Sequence, residues 1–157
     1  MKEIQLTRGL VALVDDEDYE LVTQYKWHAS KRGPNLWYAA VGHPLFGGSR
    51  YLHRFIVGAK AGQQVDHIDR NGLNCCKSNL RIVTHSQNMM NRGPKAGSVS
   101  RYKGVCWHRH YQKWYAQISS KCIGYYDDVH EAARAYNEAA KKLHGEFAWL
   151  NPIPNSK

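Results

Sequence analysis

A chain of 157 residues, 43% hydrophobic and with a mean hydropathy of −0.62, has the composition of a folded, water-soluble protein. Its length suits one ordinary domain or two to three small ones with thin cores. No apolar run approaches a membrane span and the opening MKEIQLTRGL has no signal-peptide core, so the expectation is a protein that stays in the cytoplasm. The net charge of +9 is unevenly spread: between Glu20 and Asp127 there are 16 Lys and Arg but only two carboxylates, Asp66 and Asp69. A stretch so poor in acid repels itself unless it faces a polyanion, which makes nucleic acid the expected partner. Against that stands a generically basic surface, and either way Asp66 and Asp69 need a reason.

In chain order, IQLTRGLVALV alternates and reads as one or two strands. DDEDYELVTQYKW follows as a short helix, with Asp15 or Asp16 as its N-cap and carboxylates in its first turn. WYAAV and RYLHRFIVG carry aromatic and branched residues around Gly47-Gly48. Residues 1–60 are therefore read as structural, with some DNA contact open to them.

The segment VDHIDRNGLNCCKSNLRIVTHSQNMMN, residues 65–91, is polar in an unusual way. It reads as a strand (VDHI), a tight turn at Asn71-Gly72 of the type I′ hairpin kind, a returning strand (LRIV) and a helix. Thr84 caps that helix with Gln87 completing a capping box, and Gly93-Pro94 stops it. Phosphodiester hydrolysis needs a base for water, a cation for the developing charge, and fixed geometry. His67 has the intrinsic pKa of such a base, Asp66 offers a hard oxygen to Mg²⁺ or Mn²⁺, and an asparagine oxygen on the facing helix can supply a second. Neighbours on a regular strand point to opposite faces, so Asp66 and His67 share a site only if the strand ends or twists there, which is the expectation. Asp69 is read as a turn residue, and Asn74, His85 and Asn91 as structural. His53, in LHRFIVG, is assigned to packing or phosphate contact and not to catalysis.

Cys75, Cys76, Cys106 and Cys122 form no CxxC pair, so zinc and a disulfide framework are not expected and reduced thiols are. RGPKAGSVSRYKG reads as a linker. Beyond it, YKGVCWHRH, KWYAQISS and KCIGYYD read as three strands of a meander. A helix follows, striped by Val129, Ala132, Ala133, Tyr136, Ala139, Ala140 and Leu143, capped by Asp127 or Asp128 and stopped at Gly145. Residues 101–126 hold five Lys/Arg, seven aromatics and no carboxylate. Trp114, Ala116 and Ile118 are placed against the helix, with Trp107 and Trp114 read as core. Tyr115, Gln117 and Ser119 are placed on the open face with Lys103, His108 and Lys121. There Arg101, Lys103, His108, Arg109, Gln117 and Lys121 are the candidate DNA contacts, Gln117 for an adenine edge and the cations for phosphate or guanine.

DHIDRNGLNCCKSNLRIVTHSQN resembles the HNH endonuclease motif, in the form carried by phage and intron-encoded homing endonucleases, and residues 1–60 resemble the region that precedes it there. The resemblance implies a ββα-metal (His-Me finger) fold and one divalent cation, Mg²⁺ or Mn²⁺, on Asp66 and Asn88. It implies His67 as general base and Asn79 as the residue that holds the loop against the base-bearing strand. Residues 100–151, through YKGV, GYYDDVHEAARAYNEAA and LHGEFAWLN, resemble the apetala-type domain of plant ethylene-response factors, which binds the DNA major groove through its sheet. Cys106, Tyr115 and Ser119 stand where arginine is usual in that family, and Cys122 stands where an aromatic is usual.

The whole is thus expected to be α+β: an HNH nuclease domain over 1–92 (an accessory region, 1–60, and a catalytic region, 61–92), a linker over 93–100, a three-stranded antiparallel sheet packed on one helix over 101–151, and a tail, 152–157. The expected function is nicking of double-stranded DNA by a monomer or weak dimer, with no membrane and no small-molecule cofactor. The rivals are a DNA-binding regulator with an inactive nuclease segment and an RNA-directed protein.

Overall fold

Leu6 to Leu10 make the chain's first reversal. β1 (Lys2–Gln5) and β2 (Val11–Val14) pair antiparallel around a 3₁₀ turn in which Arg8 and Gly9 both take positive φ. Helix α1 (Asp16–Thr23) starts at Asp15 by position, but the Asp15 carboxylate accepts from the Lys77 N–H at 2.7 Å instead of capping its own helix. β3 (His28–Gly33), β4 (Leu36–His43) and β5 (Gly48–Tyr51) form a second antiparallel sheet in that order. RYLHRFIVG does not continue it as a strand: after Tyr51 the chain turns into helix α2 (Leu52–Ile56). The computed structural model describes residues 1–44, 48–95 and 97–154, so Gly47 lies outside the described residues, as does much of the 152–157 tail.

β6 (Gln64–His67) and β7 (Leu80–Val83) form a two-stranded sheet, followed by α3 (His85–Asn91). The Thr84 and Gln87 side chains exchange hydrogen bonds with each other's backbone N–H at 2.9 and 3.3 Å, the reciprocal box expected at this helix start. The chain divides into two compact units, Met1–Asn88 and Met89–Lys157. The core of the first gathers Ile4, Val14 and Val41 from both amino-terminal sheets, Val22 from α1, Leu52 from α2 and Trp27 between α1 and β3, with Cys75 and Leu80 from the β6–β7 region. The polar segment 61–92 is therefore built on residues before it and has little core of its own.

In the second unit β8 (Val105–His108), β9 (Lys113–Ile118) and β10 (Lys121–Tyr126) make an antiparallel sheet, and α4 (Val129–His144) lies on it. The core is Tyr102, Val105, Ala116, Ile118, Ala132, Ala133, Tyr136 and Ala140. Asp128 caps α4, its Oδ1 accepting from the N–H groups of His130 and Glu131 at 2.7 and 2.9 Å. Gly104 sits at φ 72° beneath Tyr136, and a Cβ there would strike the Tyr136 ring and the Gln117 carbonyl. Two expectations for this unit change. Leu143, last of the helical stripe, is 62% exposed because the sheet does not reach that far along α4. Trp107 is 40% exposed on the edge strand β8, where it meets Trp114 edge to face, while Trp114 packs on the core.

Among the described residues no helix is long and apolar enough to cross a membrane. The same residues make a mixed α and β structure of several small sheets and four α-helices.

Candidate functional site

β6 stops at His67, and what stops it is a polar knot. The Asn79 Oδ1 accepts from the Asp69 N–H at 2.9 Å, and its Nδ2 donates to Asp69 Oδ1 and to the Asn74 carbonyl, both at 2.8 Å. Asp69 Oδ1 also accepts from the Asn71 N–H at 2.8 Å, and its Oδ2 from Asn74 Nδ2 at 2.7 Å. Backbone bonds from Ile68 N–H to the Asn79 carbonyl and from Arg70 N–H to the His67 carbonyl, both 2.9 Å, close the knot.

The turn is not the tight type I′ hairpin expected at Asn71-Gly72. The strands are joined by residues 68–79, and the left-handed residue is Arg70, at φ 65°. Gly72 is required for a different reason: a Cβ there would strike the Trp37 carbonyl oxygen and the Tyr38 ring. Glycine marks a close approach of two chain segments, not a positive φ.

His67 is only 5% exposed and lies among rings. His53 meets it edge-on with centroids 4.8 Å apart, and Tyr38 lies 5.6 Å away. His53 in turn stacks on Tyr51 at 5.5 Å, with the ring planes within 7°, and contacts Tyr38 at 5.2 Å. Burial pushes the His67 pKa down to about 4 against the opposing pull of Asp69 and Asp66. It pushes the His53 pKa down to about 3, helped by the neighbouring charges of His67 and Arg54. Both imidazoles are neutral at physiological pH, so His67 can accept a proton. His53 was expected only to pack or to touch phosphate. The structure makes it the ring against His67, and nothing in the local sequence, well before Asp66 along the chain, signalled that.

Asp66, 7% exposed, pairs across the sheet with Arg81, whose Nε and Nη2 both donate to its Oδ2, at 3.0 and 2.8 Å. Asn88 on α3 donates its Nδ2 to Gln64 Oε1 at 2.7 Å. Gln64 and Asp66 share one face of β6, two residues apart, so this bond lays α3 over the face that carries Asp66. The donor types there, a carboxylate and an amide oxygen, are hard oxygens of the kind magnesium and manganese take alongside water and phosphate. Among the described residues there is no cluster of three or more His, Cys, Asp or Glu of metal-holding geometry. The carboxylate of Asp66 and the amide oxygen of Asn88 are donors of the type a divalent cation such as magnesium takes, with Asp66 also engaged by Arg81. Cys75 and Cys76 are buried, and burial pushes the Cys75 thiol up to about 12 and the Cys76 thiol above its ordinary value.

In the second unit, the register sets Cys106, Tyr115 and Tyr125 side by side on the sheet face away from α4. His108 stacks on Tyr111 at 4.5 Å and meets Tyr115 and Tyr125 edge-on at 5.9 and 5.5 Å. Gln117 shares this face by alternation and pairs in register with Cys122. Arg109 is exposed at its margin, just past β8. Lys121, expected on this face, is exposed at the start of β10 but pairs with the core residue Ile118, so its side chain falls on the helix side of the sheet. Two of the expected contacts are engaged elsewhere. Lys103 does not join the face: its ammonium donates to the Met89 and Met90 carbonyls at 3.1 and 2.7 Å, satisfying orphan acceptors in the last turn of α3. The Arg101 guanidinium lies over the Tyr102 ring, 5.1 Å from its centroid, and donates to the Tyr102 hydroxyl at 3.0 Å.

An HNH endonuclease family model matches residues 50–90, which hold His53, the β6–β7 sheet and Asn88. The mimivirus protein named "Uncharacterized HNH endonuclease L560", of Acanthamoeba polyphaga mimivirus, is 31% identical over 159 aligned residues, covering 93% of this chain and 77% of its own length. Protein 3.8 of Escherichia phage T7 is 28% identical over 90 residues, covering 55% of this chain and 74% of its own. The AP2-like ethylene-responsive transcription factor TOE2 of Arabidopsis thaliana is 39% identical over 64 residues, 38% of this chain and 13% of that protein. No solved structure matches the chain. With this mimivirus relative aligned over 93% of the chain and the family model matching residues 50–90, the chain belongs to the HNH endonuclease family.

Proposed function

We propose that this protein is a divalent-metal-dependent endonuclease that nicks double-stranded DNA. His67 is the general base, Asn79 the residue that holds its loop, and Asp66 and Asn88 are the metal ligands. The observation that carries the reading is a histidine at the very end of a strand, kept neutral by burial and followed by a turn that one asparagine ties on both sides. A neutral imidazole in a fixed direction is what removal of a proton from an attacking water needs. Arg81 holds the Asp66 carboxylate in place, and α3 brings Asn88 over the same strand face. A bound Mg²⁺ or Mn²⁺ would neutralise charge on the phosphate and the leaving 3′ oxygen.

The second unit is read as an apetala-type DNA-binding module. Its open face offers His108, Gln117, Tyr115 and Tyr125, with Arg109 at the margin, while Lys103 and Arg101 are engaged elsewhere. With Cys106, Tyr115 and Ser119 where that family has arginines, less of its grip is phosphate attraction.

Asp66–Arg81 is also the observation that favours a second reading, DNA binding without cleavage, because the carboxylate already has a cation within the chain. Conversion of supercoiled plasmid to open circle separates the two. Wild type with Mg²⁺ or Mn²⁺ is expected to nick, and chelator or His67→Ala to stop it. A salt-sensitive shift of the same DNA with no nicking under any metal would establish the second reading.

A further inference from the structure

Around the His67 cluster the basic side chains fall into two groups. Arg54 donates to the Gln63 and Lys60 carbonyls at 2.6 and 2.9 Å, Arg81 is held by Asp66, and Lys77 is held by Glu17 and Asp18 at 2.6 and 2.8 Å. Arg32 is different. Among the described residues no hydrogen bond or ion pair engages its guanidinium, which lies over the Tyr51 ring, 5.4 Å from the centroid. The strand bulges there, with the register of β3 on β4 shifting between Lys31 and Gly33. A bulge re-aims the side chain it carries.

Alternation places Ser30, Tyr38 and Tyr51 on one face of the β3–β4–β5 sheet, since Ser30 pairs with Tyr38, and Tyr51 pairs with Ala40 on the same side. From Arg32 the rings run in sequence: Tyr51 at 5.4 Å, His53 stacked on Tyr51 at 5.5 Å, His67 against His53 at 4.8 Å. An exposed guanidinium thus stands at one end of a continuous stack whose other end is the proposed base. Ring stacking directs the planar fork while leaving all its donors for a ligand, and that fork matches a phosphate.

We propose that Arg32 is a substrate-positioning residue that grips a backbone phosphate of the cleaved strand, away from the scissile phosphate met by His67. The proposal rests on the reading of His67 as the cleavage site. As a backbone contact Arg32 carries no sequence preference; it adds affinity for the strand without touching the reacting atoms.

The test uses the full-length protein with a linear mixed-sequence duplex, binding measured in chelator across a salt series and cleavage measured as a single turnover with Mg²⁺ at saturating enzyme. One phosphate contact contributes about 0.9 to the slope of log affinity against log salt. Arg32→Gln is expected to lower that slope by about one, so that it loses about threefold less affinity than wild type between roughly 50 and 200 mM salt. The saturated single-turnover rate should stay within about twofold of wild type. Arg32→Lys, which keeps the charge, should retain the wild-type slope. An unchanged slope in Arg32→Gln overturns the proposal, and so does a fall in the saturated rate with the slope intact. If wild type binds but never cleaves, the nuclease reading falls, while the slope comparison still decides whether Arg32 meets phosphate.

Discussion

Two clusters of histidine and tyrosine rings sit in this molecule, one in each unit, and they use the same chemistry to opposite ends. In the first, Tyr38, Tyr51, His53 and His67 enclose one another beneath the β3–β4–β5 sheet and the 68–79 loop, and burial strips the imidazoles of their proton. In the second, His108, Tyr111, Tyr115 and Tyr125 cover the open face of a sheet, with Tyr111 55% and Tyr125 44% exposed. The side chains are alike. What differs is whether water reaches them: the first cluster closes around neutral imidazoles, and the second is an open surface.

That contrast breaks most sharply in activity. His67→Ala should cost about a hundredfold to ten-thousandfold in single-turnover cleavage. Tyr125→Ala should leave the saturated rate at the wild-type value and weaken only binding, by about 1–3 kcal/mol in a duplex-binding titration. Next comes stability: His53→Ala empties a buried ring and should lower the unfolding free energy of the first unit by about 2–4 kcal/mol in a denaturant titration. Tyr111→Ala, at the exposed cluster, should cost the second unit less than about 1 kcal/mol.

A third test uses pH. The folded-state pKa of His53 is pushed down to about 3, below the ordinary value of 6.5 that it regains on unfolding. Between those values the unfolded chain binds a proton that the native state refuses, so stability is fully present above about pH 6.5 and is lost as pH falls toward 3. Denaturant midpoints followed by first-unit probes should drop on acidification by about 1.4 kcal/mol per pH unit for each such histidine. His53→Gln should flatten that slope. The smallest effect lies in a turn. Ser119 and Ser120, at φ 48° and 64°, fill a two-residue turn between β9 and β10 that favours Asn-Gly. The pair of changes Ser119→Asn and Ser120→Gly should raise the second unit's stability by about 0.5–1 kcal/mol, read from its thermal unfolding.

Those two turns show what was legible in the sequence. Asn71-Gly72 carries the strongest short hairpin signal in the chain, yet its positive φ falls on Arg70, because Asp69, Asn74 and Asn79 dictate the loop through side-chain bonds that composition does not encode. Ser119-Ser120 carries no such signal and forms the tight turn, because strands already paired on both sides impose it. Periodic elements were easier: the α4 stripe, the Thr84–Gln87 box and the alternation of β9 all follow from local spacing. Asp66, His67, Asn79 and Asn88 stood out because they fall within one short polar run. His53 and Arg32 did not, since His53 reaches His67 from α2 and Arg32 reaches Tyr51 from the β3 bulge, each far from the motif along the chain. Lys103 misled for the same reason, as a cation's partner across the fold is invisible in its neighbours along the chain.

The loop that carries Asn74 and Lys77 is not free-standing. Leu13 donates to the Leu73 carbonyl and accepts from the Cys75 N–H, both at 2.8 Å, so a stretch of this loop is laid parallel onto β2, and Lys77 is clamped by the start of α1. The consequence concerns dissection. The family signature spans residues 50–90, but the compact unit to which its loop is fastened runs from Met1 to Asn88. Cutting out the signature alone, to graft it or to shrink the protein, would discard the scaffolding against which its own loop is fastened.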